Sequence, residues 1–297
     1  MNILVIGGTG TVGSQLVSEL LSRKASVRIL TRNPSKNQHK YMNSEWIHGD
    51  LEEPGSLEGA FDQLDAVFLL TSMSQTETIQ GVTAVKAARK AGVRKIVYLS
   101  APMNESMLHI PHIKSKIGIE EEIKRSGMDY TILRPNNFFQ NDYGFRDAIL
   151  KNGIYPQPLG SVGLNRIDVE DIAYATANAL LLNGFEGKEY PIYGSEVLTG
   201  DRIAETYSLH TGATVRYIGD DLDAWYQHAI TIMPEWLAQD FCVMYKCFQS
   251  FGCLGTAQDI ILQQQLLQRE PKSFEDFVAE TVTRWKNERT NTHEESS

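Results

Sequence analysis

Short apolar runs recur along the first half of the chain, separated by glycine turns and amphipathic stretches. Runs that are apolar throughout suit strands buried on both faces of a parallel sheet. The stretches between them place apolar residues three and four positions apart, which is the helical period. Strands are therefore predicted at residues 2–6, 27–30, 45–50, 66–70, 96–99 and 130–133, the last one stopped by Pro135, and helices at residues 12–21, 57–61, 77–91 and 114–126.

Strand and helix alternate at least five times in this region. That rhythm predicts a parallel sheet with helices on both sides, because parallel strands need long crossover connections. Right-handed crossovers make the fold a doubly wound α/β sheet of the Rossmann type.

The rhythm changes after residue 150, where helices dominate. Helices are predicted at residues 168–182, 199–211, most of 221–268 and 273–287, and short strands at 190–193 and 214–218. We expect residues 1–150 to form the Rossmann-type domain, together with the helix at 168–182. Residues 151–287 are expected to form a smaller, mainly helical C-terminal lobe. The polar stretch 288–297 is expected to be a disordered tail.

A glycine turn follows the first strand, with Gly8, Gly10 and Gly13 in the spacing G-x-G-x-x-G. In this context one glycine permits a tight turn, one lets backbone approach a pyrophosphate, and one lets the helix pack on the strand. The helix start beyond it offers free N–H groups to phosphate. The alternative is a fold of this type with an inactive site. The residues predicted to contact a dinucleotide here are Gly7, Thr9, Gly10, Thr11, Val12 and Gly13.

The end of the second strand sets the choice of cofactor. An NAD-binding protein usually ends this strand with an acid that holds the ribose hydroxyls. Here Arg32 and Lys36 follow instead, and they could bind the 2′-phosphate of NADP(H). We therefore expect NADP(H) rather than NAD(H), with a solvated turn as the alternative for these two cations. Asp50, after the third strand, is expected to meet the adenine or to act as a simple turn former.

Composition narrows the function classes. The chain has 297 residues, and its formal net charge of -9 argues against a nucleic-acid or anionic-membrane binder, which would need a basic face. Cys242, Cys247 and Cys253 match no zinc spacing, so no metal site is expected. No apolar run reaches the roughly 18 residues of a membrane span, and no secretion signal is evident. We expect a cytoplasmic protein.

Several segments together resemble the NmrA-like family, an atypical branch of the short-chain dehydrogenase/reductases. They are the glycine turn, Leu-Thr-Arg-Asn-Pro-Ser-Lys at 30–36, His-Gly-Asp-Leu at 48–51, residues 87–98, and Tyr-Thr-Ile-Leu-Arg-Pro at 130–135 with Asn141 beyond. The likeness covers residues 1–180 well and is looser from 180 to 285. It implies an NAD(P)-binding Rossmann fold. The family includes reductases of quinones and dyes as well as NADP(H)-sensing regulators.

The resemblance also points to a catalytic region. Typical short-chain dehydrogenases use Ser, Tyr and Lys, with Tyr-x-x-x-Lys on one helix. Here Lys116 matches the lysine, His112 stands where Tyr would be, and Ser100 matches the serine region. Lys116 is expected to bind the cofactor ribose, with a solvated helix lysine as the alternative. His112 is a proton donor or a packing residue, and Ser100 is a site residue or a strand-end hydroxyl.

Ligands of open α/β sheets lie beyond the carboxyl ends of the strands. Residues that follow the fourth and sixth strands should therefore border the nicotinamide half of the cofactor. These are Thr71, Ser72, Pro135, Asn136 and Asn137. The aromatic residues after them could stack on a flat acceptor, or they could belong to the core of the second lobe. They are Phe138, Phe139 and Tyr143.

Three functions remain open at this point. The first is an NADPH-dependent reductase of a small conjugated or aromatic acceptor, since such an acceptor needs no strong acid from the protein. The second, suggested by the missing Tyr, is a non-catalytic NADP(H) sensor that acts through a regulatory protein partner. The third is an isomerase, ether reductase or tailoring enzyme of the same fold. The sequence does not define the substrate or the oligomeric state.

Overall fold

The computed structural model describes residues 1–37 and 40–294, with side chains at residues 1–36 and 40–288. The chain forms two compact units. The first comprises Met1–Pro135, Val169–Ile192 and Ala257–Arg269, and the second comprises Asn136–Asp168, Tyr193–Thr256 and the residues from Glu270 onward. The expected boundary at residue 150 therefore differs from the observed one at Pro135. Two later segments also return to the first unit.

Parallel strands form the centre of the first unit. Its strands are β1 (Asn2–Ile6), β2 (Ser26–Thr31), β3 (Glu45–His48), β4 (Ala66–Leu69), β5 (Lys95–Leu99), β6 (Asp129–Pro135) and β8 (Lys188–Ile192). Strand β7 (Ile154–Tyr155) belongs to the second unit. The sheet order is β3-β2-β1-β4-β5-β6-β8. The strand order reverses direction at β1, which confirms the predicted doubly wound Rossmann sheet.

Two details of this sheet differ from the sequence prediction. Strand β6 includes Pro135, which was expected to stop it, and Pro135 lies opposite Ile192 of β8. Strand β8, assigned from sequence to the second lobe, is the seventh strand of this sheet. A proline is tolerated at the end of a strand because few ladder bonds remain there to lose.

Helices cover both faces of the sheet. They are α1 (Thr11–Ser22), α2 (Pro34–Asn37), α3 (Glu77–Lys90), α4 (Pro111–Arg125), α6 (Val169–Leu181) and α10 (Ala257–Leu267). Helix α5 (Arg146–Asn152) belongs to the second unit. The helix expected at residues 57–61 is wrong: a single 3₁₀ turn spans Pro54–Leu57 instead. Helix α4 begins three residues earlier than expected, because Pro111 starts it at a position where no backbone N–H is needed.

One large apolar cluster lies between the sheet and helices α3 and α4. Its members are aliphatic and aromatic side chains with at most a few per cent of their surface exposed, among them Leu4, Val67, Ile96, Val85, Ile119 and Ile123. Burial of each such aliphatic side chain contributes roughly 1.5–3 kcal/mol. This packing fixes the carboxyl ends of the strands relative to the two helices.

The second unit is mainly helical, as expected. Besides α5 it contains α7 (Gly200–Thr211), α8 (Leu222–Ala229), α9 (Glu235–Phe251) and α11 (Phe274–Glu294), and β7 pairs in parallel with β9 (Arg216–Tyr217). Helix α11 continues to Glu294, beyond the end expected at residue 287, and residues 295–297 of the predicted tail lie outside the described residues. Among the residues described, no helix is long and apolar enough to cross a membrane.

A buried ion pair organises the second unit. Arg166 is fully buried, and its Nη2 lies 2.8 Å from a carboxylate oxygen of Asp142. Both Tyr155 and Tyr207 donate their hydroxyls to the same carboxylate, at 3.0 and 3.1 Å. Desolvation by itself lowers the pKa of Arg166, but the negative charge of Asp142 more than offsets this and raises it. The guanidinium therefore stays charged inside the unit.

Lys95 is the first residue of β5 and lies at the amino ends of the strands in the first-unit sheet. There it stabilises the end of α6. Its ammonium donates to the carbonyls of Leu182 (2.8 Å) and Ala179 (3.3 Å) and pairs with Glu186 at 2.9 Å. Desolvation by itself raises the pKa of Glu186, but bonds from Lys95 and from nearby backbone N–H groups lower it to about 2. The carboxylate is thus held in its charged form.

Replacing Glu186 with Gln should cost about 1 kcal/mol at neutral pH, after solvent screening is allowed for. Because the folded pKa is depressed, this contribution is present above the unfolded value of 4.5 and is lost as pH falls through about 2. Urea unfolding from neutral pH to the acid limit of folding measures it. Glu58→Gln, at an exposed carboxylate, is the control. A pH-independent difference would contradict the pairing.

Candidate functional site

The glycine turn between β1 and α1 has no room for side chains at three of its positions, Gly7, Gly8 and Gly13. A Cβ on Gly13 would lie 2.1 Å from the carbonyl oxygen of Gly7, so the first turn of α1 packs directly on the backbone of the turn. Gly7 has φ +84°, and a Cβ there would lie 2.9 Å from the carbonyl oxygen of Leu70. At Gly10 the nearest atom to a Cβ is the carbonyl oxygen of Gly7 at 3.4 Å, so a Cβ would fit there in ordinary van der Waals contact.

The start of α1 is a candidate anion site. Gly10 is its N-cap and supplies no side-chain cap, while its own N–H donates to the carbonyl of Gly7 at 3.0 Å. Thr9, Gly10 and Thr11 are exposed. Backbone N–H groups and the positive end of the helix dipole therefore point to solvent, where a phosphate would find both. The cradle that the glycines leave fits a pyrophosphate.

Two cationic residues follow the carboxyl end of β2. Strand β2 pairs with β1, the strand that leads into the glycine turn. Arg32 and Lys36 are both exposed, and neither makes an ion pair within the part of the chain that the structure describes. The turn between them is held by Asn33, whose N–H donates to the Thr31 hydroxyl at 3.3 Å and whose side chain accepts from Ser35 at 2.8 Å. The two side chains are available to an anion.

Asp50 lies in a tight turn after β3. Its carboxylate accepts the N–H of Glu52 at 3.0 Å, and its own N–H donates to the Ser56 hydroxyl at 2.8 Å. These bonds are those of a turn-forming aspartate, the alternative that the sequence left open.

A buried polar cluster joins the ends of β4, α3 and α4. Lys116 makes an ion pair with Glu77, the first residue of α3, and both side chains are buried. The hydroxyl of Thr71 donates to Glu77 Oε1 at 2.8 Å, and that of Ser115 donates to Glu77 Oε2 at 2.7 Å. Sequence reasoning found Thr71 and Lys116 but missed Glu77. Ser72, the other predicted residue at this strand end, is exposed.

Two small residues allow α3 and α4 to approach so closely. A Cβ on Gly81 of α3 would lie 2.3 Å from Ile119 Cδ1, and one on Gly118 of α4 would lie 3.0 Å from a methyl group of Thr78. Thr78 also donates its hydroxyl to the carbonyl of Ser115 at 2.7 Å. The ion pair between the two helices depends on this short distance.

Ser100 takes part in a second buried cluster. Its hydroxyl donates to Glu120 Oε1 at 2.6 Å, and Arg134 donates to both oxygens of the same carboxylate, at 3.2 and 2.6 Å. Ser100 thus satisfies a neighbouring carboxylate in this structure, which favours the strand-end alternative. His112 is half-buried one turn before Lys116 on α4, and its carbonyl accepts the Ser115 hydroxyl at 2.8 Å.

A tyrosine also lies close to these clusters. Tyr98 of β5 is fully buried. Burial, followed by the negative charge of Glu77, raises the pKa of its phenol well above the usual value. Tyr98 is therefore neutral.

The predicted residues after β6 belong to the second unit. The side chain of Asn136 is buried and donates to the carbonyl of Cys253 at 2.8 Å, and Asn137 accepts from Arg166 at 2.9 Å. The two amides thus connect the segment after β6 to Cys253 and Arg166, which are distant in the sequence. Burial raises the pKa of the Cys253 thiol to about 12, as for a structural cysteine.

The predicted substrate aromatics have different surroundings. Phe139 is buried, with its ring centroid 5.1 Å from Phe274 and 5.3 Å from Phe277. Tyr143 stacks on Phe277 at 5.7 Å, beneath the guanidinium of Arg284. These contacts favour the core alternative for Phe139, while Tyr143 packs on Phe277 at the surface of the second unit. Phe138 is half-buried, and Tyr143 is the most exposed of the three, with 37% of its surface accessible.

Comparisons with known proteins agree with this architecture. A sequence model of the NmrA-like family matches residues 1–278. An NAD(P)H azoreductase of Xenophilus azovorans is 32% identical over 252 residues, which cover 82% of this chain and 86% of that protein.

Solved structures share the fold. An NADPH-dependent quinone oxidoreductase of Escherichia coli, complexed with NADPH, has a TM-score of 0.82 and 22% identity, covering 95% of this chain and 99% of that one. A Citrobacter triphenylmethane reductase complexed with NADP(H) has a TM-score of 0.80 and 22% identity, covering 95% of this chain and all of that one.

Replacing Gly13 with Ala should destabilise the fold by about 1–3 kcal/mol or more, because the added methyl group overlaps the Gly7 carbonyl. Gly10→Ala, which meets only one atom at 3.4 Å, is the matched control and should cost less. Thermal unfolding of the two variants measures the difference. Equal effects would contradict the tight packing described for Gly13.

Proposed function

This chain belongs to the NmrA-like family, and from that premise we propose that it is an NADPH-dependent reductase of a small conjugated acceptor such as a quinone or an azo dye. The observation that carries the proposal is the open start of α1 against the glycine turn, with Arg32 at the neighbouring strand end. This arrangement suits a dinucleotide with an extra phosphate.

Each part of the cofactor has a candidate partner in the first unit. The backbone N–H groups from Thr11 to Gly13 would bind the pyrophosphate, and Gly7 and Gly10 would let it approach. Arg32 would form paired hydrogen bonds to the 2′-phosphate, with Lys36 as a second cation. Lys116 would bind the ribose on the nicotinamide side. This set supports NADP(H) over NAD(H).

The missing Tyr matters less for this class of acceptor. When bound, NADPH supplies a hydride, and a quinone that accepts it takes up one proton as well and becomes a hydroquinone. A conjugated acceptor spreads the incoming charge over its own atoms, so the protein need only hold it in position. His112, half-buried on α4, is a candidate proton donor, and water is the alternative.

The names of the relatives support the acceptor class. Three proteins that this chain resembles are called an azoreductase, a quinone oxidoreductase and a triphenylmethane reductase. All three names describe the reduction of small, aromatic or conjugated molecules. We infer an acceptor of this kind here, with Phe138 and Tyr143 as the candidate residues to stack on it.

The test is NADPH oxidation by the purified chain with a panel of quinones, azo dyes and triphenylmethane dyes. We expect acceptor-dependent turnover with at least one of these classes, and faster turnover with NADPH than with NADH. Tight NADPH binding without turnover on the whole panel would contradict the reductase. That result would favour the NADP(H)-sensing regulator, because a sensor would use the same cofactor site.

Replacing Arg32 with Ser should weaken NADPH binding about 10- to 100-fold, since a charge-assisted paired contact is lost. NADH has no 2′-phosphate, so its dissociation constant should change less than about threefold. Isothermal titration calorimetry with both nucleotides measures this. Arg125→Ser, at an exposed arginine of α4, is the control and should change neither. An equal loss for both nucleotides would place Arg32 away from the phosphate.

A further inference from the structure

We propose that Glu77 is a positioning residue of the cofactor site, which holds the ammonium of Lys116 in place to bind the ribose on the nicotinamide side. The inference rests on the proposed function and extends it by a residue that neither the sequence motifs nor the family resemblance pointed to.

Three side chains donate hydrogen bonds to the carboxylate of Glu77. Oε1 accepts from Thr71 at 2.8 Å and from the ammonium of Lys116, and Oε2 accepts from Ser115 at 2.7 Å. Only 1% of Glu77 is exposed, and 7% of Lys116. One carboxylate thus ties the end of strand β4 to helix α4, and its position at the start of α3 is favourable for a negative charge.

Stability alone does not account for such a pair. Removing two charges from water costs several kcal/mol for each ion, and well-packed apolar residues of the same volume often serve the fold as well or better. The surrounding cluster of Ile119, Val85 and their neighbours is already apolar. What points to a ligand here is the position of the pair, which is tied through Thr71 to the carboxyl end of β4.

The cluster lies where the ligand is proposed to bind. Thr71 directly follows Leu70, whose carbonyl oxygen is the atom that a Cβ on Gly7 would meet. Strands β1 and β4 are neighbours in the sheet, so their carboxyl ends lie side by side. The Glu77 cluster and the glycine turn therefore form one continuous stretch of the same sheet edge.

The chemistry of the pair suits ribose binding. A lysine ammonium has three N–H donors and no acceptor. Glu77 takes one of them and neutralises the charge, which lets Lys116 remain buried while other donors are left for hydroxyl groups. Without Glu77, an ammonium in this place would be a desolvated, uncompensated charge, and its side chain would turn toward water.

A double-mutant cycle tests this role. Its variants are Glu77→Gln, Lys116→Met and the combination of both, and its readout is the dissociation constant of NADPH from calorimetry. We expect each single change to weaken NADPH about tenfold and the double change to weaken it about tenfold as well, because both remove the same contact. A double variant weakened about 100-fold, the product of two independent losses, would overturn the proposal.

A matched control separates positioning from folding. Asp171 is also a buried carboxylate of the first unit, and it pairs with Arg269 at 2.6 Å. Asp171→Asn should lower the melting temperature and leave the NADPH dissociation constant within about twofold. If it weakens NADPH as much as Glu77→Gln does, the effect is general destabilisation and the proposal is wrong. If Glu77→Gln does not fold, Glu77→Asp replaces it in the same cycle, since it keeps the charge but shortens the side chain.

The outcomes also distinguish the inference from the proposed function. A wild-type chain that binds NADPH but reduces no acceptor contradicts the reductase, while the cycle still decides the role of Glu77. A wild-type chain that does not bind NADPH overturns both. Where turnover is measurable, Glu77→Gln should raise the KM for NADPH about tenfold and leave the KM for the quinone nearly unchanged. Equal increases in both would contradict a role confined to the cofactor.

Discussion

The contact between Gly13 and the carbonyl of Gly7 is the constraint on which the candidate site depends. With a separation that leaves no space for a Cβ, the first turn of α1 rests on the end of β1, and its N–H groups emerge at the carboxyl edge of the sheet. In the proposed function, that placement makes the helix start the anion site. Arg32, at the end of the adjacent strand β2, is then the proposed partner of the 2′-phosphate.

Buried ion pairs between side chains recur in both units of the structure. Glu77 with Lys116, Glu120 with Arg134, and Asp142 with Arg166 each take charged groups out of water and satisfy them with further donors. The first two pairs lie at the carboxyl edge of the first-unit sheet, beside the proposed cofactor site. The third fixes the backbone after Asn136, since Arg166 also donates to the carbonyl of Phe138 at 2.7 Å. Each pair specifies a geometry that an apolar core would leave less defined.

Local patterns in the sequence account for most of the first unit. Continuous apolar runs and glycine spacing suffice for β1, α1 and the alternation that follows, because these features depend on neighbours in the chain. Strand β8 and helix α10 were assigned to the wrong unit, since their partners β6 and α6 are distant in sequence. Only the folded chain shows that these late segments return to the sheet.

The candidate functional site could be predicted from the sequence to about the same degree as the fold of the first unit. Glycines and cations with a fixed spacing after a strand could be identified, but Glu77 could not, because an acid in the first turn of a helix usually faces water. Its burial follows from the close packing at Gly81, which no local pattern encodes. Phe139 and Tyr143 show the reverse problem: aromatic residues after a strand suit a ligand or a core equally well, and here they pack on α11.

The most direct measurement is an NMR titration of the isotopically labelled chain with NADPH, following the backbone amides of Thr11, Val12 and Gly13. The account predicts large, saturable shifts of these three signals and of the Arg32 side chain, with little change in the strand Lys188–Ile192 at the far edge of the sheet. If NADPH leaves the amides at the start of α1 unmoved, the phosphates do not bind there, and the central claim is contradicted.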